Sequence, residues 1–230
     1  MLLGTEEEAV VVESLPNLDR STLRERALQA LRAAITTGRY RPGDHLGEGE
    51  LAAHLGVSRG TVRQALWHLQ QEGLVTAGHR SMLRVNTLTP AEIRELFRVR
   101  ASLEGLAARQ IVSSGEIHAA TNSLRQALTR LTDPEADFAG LVDADLGFHL
   151  LLCQLSGNSM LVDTWRHLEG RSRVVIMAAG PIRAQPLMSP DRHEPVIDAI
   201  ENGDPAAAVD AINGYMACAA DHFAAGPRRP

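Results

Sequence analysis

Glu50-Leu-Ala-Ala-His-Leu-Gly-Val-Ser-Arg-Gly-Thr-Val-Arg-Gln-Ala-Leu66 is the stretch whose reading decides the fold. Gly56 stands just past a short run, Glu48 to Leu55, where a left-handed residue commonly ends a helix. Ser58 is a helix-capping residue, and Val62, Leu66 and Leu69 recur at i, i+4 and i+7 behind it. The spacing predicts two helices joined by a tight turn, the second running to about Gln71 and ended by Gly73. Arg59 and Arg63 share a face, away from the apolar stripe. Ser58 and Thr61 fall where free N–H groups at a helix N-terminus favour phosphate.

Upstream, Leu23, Ala27, Leu28, Leu31 and Ile35 predict a helix over 21–37, capped by Ser21 and followed by Gly38. Arg41-Pro42-Gly43 is a turn, and residues 1–19, with Pro16 and no sustained period, read as a flexible tail. Downstream, Leu74-Val75-Thr76 and Met82-Leu83-Arg84-Val85 flank Gly78-His79-Arg80-Ser81, the pattern of a β-hairpin. Residues 20–86 are thus three helices and a two-stranded wing, a winged helix-turn-helix, with His79 and Arg80 at the wing tip in reach of the minor groove or backbone. Residues 87–90 form a linker, and 91–226 are helical almost throughout. Helices are expected near 90–113, 115–131, 136–156, 158–179, 190–202 and 205–224, with a loop from Gly180 to Pro190. The fold class is mainly α: a winged helix-turn-helix followed by an all-α bundle.

Charge divides the chain the same way. The net charge is −5 over 230 residues, but residues 20–86 carry +5 between two stretches of −5 each. A basic segment between acidic ones points to one part that meets a polyanion. All 23 basic residues are Arg, which fits forked recognition of phosphate or guanine and is explained equally well by genome composition. Hydrophobic residues at 44% and charged residues at 22% exclude a collagen-like or wholly disordered chain. No run of eighteen apolar residues exists and the acidic start lacks a secretion-signal pattern, so a membrane span and export are not expected. Two cysteines, Cys153 and Cys218, make no disulfide framework and fit a cytoplasmic location.

The residues of the front segment resemble the GntR family's winged helix-turn-helix: Leu31-Arg-Ala-Ala-Ile-Thr-Thr-Gly-Arg-Tyr-Arg-Pro-Gly-Asp44, the stretch Glu50 to Leu66, and Glu72-Gly-Leu-Val75. The resemblance covers 22–85 and implies that the third helix reads the major groove while the wing tip enters the minor groove. On that basis Ser58, Arg59, Thr61 and Arg63 are the reading residues, with His79 and Arg80 in the wing. The wing sequence departs from the common Asn-Arg-Gly-Ala, and an Arg that some members carry near Gly49 is missing.

In the rear segment, Asp145 and His149 are i and i+4 on one helix, which sets a carboxylate beside an imidazole and suits a divalent metal. A structural ion pair or a satisfied core histidine is the alternative. His193 is a candidate third ligand. Arg100-Ala-Ser-Leu-Glu104, Asp145-Leu-Gly-Phe-His149, Ser156-Gly-Asn158 and His193 with Ala199-Ile-Glu-Asn-Gly-Asp204 resemble the FCD effector-binding domain of FadR-type GntR regulators, over about 90–225. The six-helix length resembles the VanR-type subgroup. The resemblance implies a metal (Zn, Ni or Mn) held by one Asp and three His, and a small organic acid as effector. The fourth ligand position falls on Tyr215, leaving it open as a weak ligand, a hydrogen-bond donor to the effector, or a sign that no metal is needed. His222 lies seven residues on, roughly 10 Å along a helix, too far to substitute. Arg100, Arg171 and Arg173 are candidates to neutralise the acid, although Arg100 has Glu104 one turn away and at most one of Arg171 and Arg173 can face inward. Trp165 and Phe148 read as core.

These features together read as a ligand-responsive, DNA-binding repressor and not an enzyme: a homodimer on a pseudo-palindromic operator. The rivals are a metal-dependent enzyme in which Asp145, His149 and His193 activate water, and a DNA-binding adaptor with no ligand.

Overall fold

The computed structural model describes residues 23–78 and 82–226. The expected tail, the Ser21 cap and the wing-tip residues His79 and Arg80 lie outside the described residues. The front unit contains α1 (Leu23–Thr36), α2 (Glu48–Leu55), α3 (Arg59–Gln71), β1 (Val75–Ala77) and β2 (Leu83–Val85). Gly56 ends α2 in the left-handed region at φ 65°, and the Ser58 hydroxyl caps α3 by accepting from the Thr61 N–H at 3.1 Å. The two strands pair antiparallel, Val75 opposite Val85. The chain at 43–46 runs along the free edge of β2, with the Leu46 N–H donating to Leu83 and the Val85 N–H to Asp44. That third edge carries no alternating pattern in the sequence. Ala27, Leu31, Ile35, Leu51, Val62, Leu66, Leu69 and Val85 form the core of this unit.

The bundle contains α4 (Pro90–Ser114), α5 (Ile117–Leu128), α6 (Phe138–Leu155), α7 (Ser159–Ala179), α8 (Pro181–Ala184), α9 (Pro190–Glu201) and α10 (Pro205–Ala224). Thr89 and Glu92 form a reciprocal capping box at the start of α4, where Pro90 has no N–H to leave unsatisfied. Three details differ from expectation. The segment read as a loop after Gly180 holds α8 and a 3-10 turn, Gln185–Leu187. The expected second bundle helix changes to a 3-10 turn at Thr129–Thr132, and Asp137 caps α6 two residues later than anticipated. Short, Pro-punctuated turns have too few residues to show a period.

By length and composition α6 could cross a membrane. Here it is a core helix, apolar because α4, α5 and α7 pack around it. This is the helix that carries Asp145 and His149.

The two units meet along α7. Val174 of α7 belongs to the core of the front unit. Gly170 lies so close to the end of α3 that a Cβ there would stand 2.1 Å from the Glu72 carbonyl oxygen. Arg171 packs on Gly73.

Candidate functional site: an exposed polar helix face and a buried Asp–His–His cluster

The N-terminal half of α3 presents one polar face. Ser58, Arg59 and Arg63 are exposed and Thr61 is half-buried, with Val62, Ala65, Leu66 and Leu69 turned to the core. The Ser58 and Thr61 hydroxyls lie 2.9 Å apart. Arg63 is not free: its Nε and Nη2 donate to the Glu48 carboxylate at the start of α2. Trp67 continues the Arg59–Arg63 line and is 55% exposed, a large apolar ring left outside. Its position off the Val62–Leu66–Leu69 stripe was the available signal.

The second site lies inside the bundle. Asp145 and His149 of α6 and His193 of α9 are all buried, and one donor atom from each lies within 4.8 Å of the others. The surroundings fix which atoms face inward. His149 Nδ1 lies 2.6 Å from Glu104 Oε2, and His193 Nδ1 lies 3.0 Å from the Ser189 carbonyl. Both partners are acceptors, so each Nδ1 donates and each Nε2 is the ring nitrogen left to face the cluster. Those two Nε2 atoms and Asp145 Oδ1 are buried without hydrogen-bond partners. His193 Nε2 stands 3.3 Å from Asp145 Oδ1, and His149 Nε2 stands 4.0 Å from Asp145 Oδ2. These buried polar atoms face one another with no other partner, an arrangement that a cation between them would satisfy. Two imidazole nitrogens and a carboxylate oxygen suit a divalent transition ion.

Glu104, on α4, organises this cluster. Its carboxylate accepts from His149, from Arg100 Nε at 3.0 Å and from Trp165 Nε1 at 3.0 Å. Burial pushes its pKa up, but His149 and Arg100 outweigh that and hold it down at about 2. Burial also lowers His149 from its ordinary value, keeping the ring neutral. Asp145 is held low against its own burial by His193, His149 and Arg100. Two carboxylates, Glu104 and Asp145, and one guanidinium, Arg100, are buried here together, a set that suits a cation.

Arg100 therefore pairs with Glu104, the alternative read from their spacing, yet its Nη2 is buried and unpartnered. The Tyr215 ring lies 5.0 Å from that of His193 and 5.4 Å from that of His149, but its hydroxyl donates to the Leu187 carbonyl at 3.2 Å. Neither Arg171 nor Arg173 reaches the cluster. Arg173 pairs with Asp143 and Glu169, and Arg171 rests on Gly73, because that side of α7 faces the front unit. The expectation of an inward-facing member of this pair is thereby corrected. The arginine that does line the small cavity beside the cluster is Arg192, its guanidinium 5.7 Å from the centre of the Tyr215 ring and its Nε buried without a partner. It sits next to His193 in the sequence, the only signal for it. The cavity holds about 10 Å³, room for one water-sized group. His222 is not part of the cluster; its carbonyl accepts from Arg183. Trp165 and Phe148 are core, as read, although Trp165 also binds Glu104.

Residues 23–85 match the family model for bacterial regulatory proteins of the gntR family, and residues 95–217 match the FCD domain. An HTH-type transcriptional regulator of Mycobacterium tuberculosis is 31% identical over 225 residues, covering 86% of this chain and 88% of its own. A Paenarthrobacter nicotinovorans protein named "Probable D-xylose utilization operon transcriptional repressor" is 27% identical over 202 residues, 87% of this chain and 88% of its own. The crystal structure of a GntR transcriptional regulator from Rhodococcus sp. RHA1 superposes with a TM-score of 0.74 at 26% identity, covering 90% of this chain and all of that one. Winged front, helical rear and relatives agree: the chain belongs to the gntR family of bacterial regulatory proteins, a transcriptional regulator with an FCD domain and not an enzyme.

Proposed function

We propose that this regulator is a cytoplasmic, homodimeric repressor that senses a small organic acid through a divalent metal bound by Asp145, His149 and His193. The observation that carries the reading is the convergence of three buried, unpartnered ligand atoms, Asp145 Oδ1, His149 Nε2 and His193 Nε2. Zn, Ni and Mn all suit two imidazoles and a carboxylate. Bound there, such an ion supplies a Lewis-acid anchor for a carboxylate. Glu104 and the Ser189 carbonyl orient the two rings, and Arg192 and Arg100 offer unused N–H groups near the cavity. Tyr215 supports the wall, its hydroxyl already committed to Leu187. The small cavity must widen to admit an acid, and α9, which carries His193 and Arg192, borders it. Ser58, Arg59, Thr61 and Arg63, with His79 and Arg80 of the wing, contact the operator. The working units are 20–86, a linker at 87–90, and 91–226, with the second pairing two winged units on a pseudo-palindromic site. The test is calorimetric titration of chelator-stripped protein with Zn²⁺, Ni²⁺ and Mn²⁺. The reading expects a single ion per chain, lost in Asp145→Ala and in His149→Ala; absence of binding by all three ions overturns it.

A further inference from the structure

Arg63 and Glu48 lie on different helices, fifteen residues apart, at the surface meant for DNA. Arg63 donates Nε–H to Oε1 at 2.9 Å and to Oε2 at 3.1 Å, and Nη2–H to Oε2 at 2.7 Å. This uses the side edge of the guanidinium. The end edge, formed by Nη1 and the outer N–H of Nη2, is left unused by that pair. A guanine in the major groove presents O6 and N7 to two parallel donors, and the end edge supplies such a pair. Next along α2, Gly49 has no side chain, and the Arg59 guanidinium lies over it at van der Waals distance, about 3.6 Å from where a Cβ would be. The start of α2 therefore holds both arginines of the α3 face: one by a carboxylate, the other by open space.

We propose that Glu48 is a positioning residue for sequence reading: its carboxylate clamps the side edge of Arg63 so that the end edge is presented, already oriented, to a guanine. An unclamped arginine samples many rotamers and settles as readily on a phosphate as on a base. A clamped one gives up that freedom before DNA arrives, so less is lost on binding. The carboxylate also repels phosphates, which weakens unselective binding and leaves the base contact as the favourable outcome. Glu48 thus raises the preference for the correct duplex more than the total affinity.

The experiment uses the full chain. Enrichment from a randomised duplex pool defines the preferred sequence, and anisotropy measures binding to that duplex and to a scrambled one at two salt concentrations. Glu48→Ala is expected to lower the preferred-to-scrambled ratio about tenfold, the scale of one forked base contact, with scrambled binding unchanged or tighter. Replacing the contacted guanine by 7-deazaguanine, which removes N7, should weaken wild-type binding and leave Glu48→Ala nearly unaffected. Glu48→Gln, which keeps an acceptor but loses the charge, should fall between the two and decides the matter if the alanine variant folds poorly. In an Arg63→Ala background, Glu48→Ala should lower the ratio no further. Equal losses on both duplexes would assign Glu48 a merely structural role and overturn the proposal. A further loss of preference in the Arg63→Ala background would mean that Glu48 reads a base itself, and would overturn it too.

Discussion

Gly170→Ala tests the contact between the two units with a single methyl group. The added carbon would sit 2.1 Å from the Glu72 carbonyl oxygen and 3.2 Å from Leu74 Cγ. Contacts under 3.0 Å are not tolerated, so α7 and the end of α3 must separate by about 0.9 Å. The obstacle is backbone, so no side-chain rotation relieves it. Overpacking of this kind costs about 1–3 kcal/mol, offset by about 1 kcal/mol of better helix propensity in α7. Separation also loosens Val174, which is part of the front unit's core, and strains the Arg171 packing on Gly73. A net loss of up to about 2 kcal/mol lowers the melting temperature of a unit this size by up to several degrees. The assay is scanning calorimetry of the wild type and Gly170→Ala, paired with hydrogen exchange of α3. The variant should show an earlier or separate front-unit transition and faster exchange at Leu69 to Leu74, with the bundle transition unmoved. An unchanged profile would refute the close approach of α7 to the end of α3.

Further outcomes are expected. His149→Ala should abolish metal binding and any response to carboxylates while sparing DNA affinity in the free state; retained induction, read by anisotropy, would contradict the pocket. Arg63→Ala should weaken binding to the preferred duplex by roughly 1–3 kcal/mol, and an unchanged footprint would remove it from the reading set. Metal-free protein should lose stability as pH falls below about 6.5, because burial lowers the His149 pKa: the unfolded chain takes up that proton while the folded one resists it. Glu104, held at about 2, adds stability that is present above its ordinary value near 4.5 and lost as pH falls toward 2. Urea midpoints between pH 8 and 4 check this; His149→Gln should flatten the first part of the decline, and a flat wild-type curve would count against the buried neutral ring.

What the sequence made legible was local. Gly56, Ser58 and the stripe Val62–Leu66–Leu69 specify a turn and a helix within a few residues, and the structure has both. Asp145 and His149 share a helix face by spacing alone, and they do converge with His193. What was not legible depends on meetings between distant segments. Glu104 holds His149 across 45 residues, and Trp165 adds its bond from 61 residues away. Arg171 and Arg173 were misplaced because helix phase does not say which neighbour a face will meet, and α7 has neighbours on both sides. Gly170 gave no sign that it admits a carbonyl, since a glycine within a helical run carries no label for close approach. Likewise, nothing along the chain says that Glu48 would occupy Arg63.

The central claim is that a metal-centred pocket in the bundle governs the grip of the winged unit on DNA. The most direct measurement is anisotropy on the preferred duplex with a panel of small carboxylates, using metal-loaded wild type, chelator-stripped wild type and His149→Ala. The account predicts that at least one carboxylate shifts the affinity of the metal-loaded protein, and that stripping or the substitution removes the shift without abolishing binding. A shift that survives both treatments would contradict it.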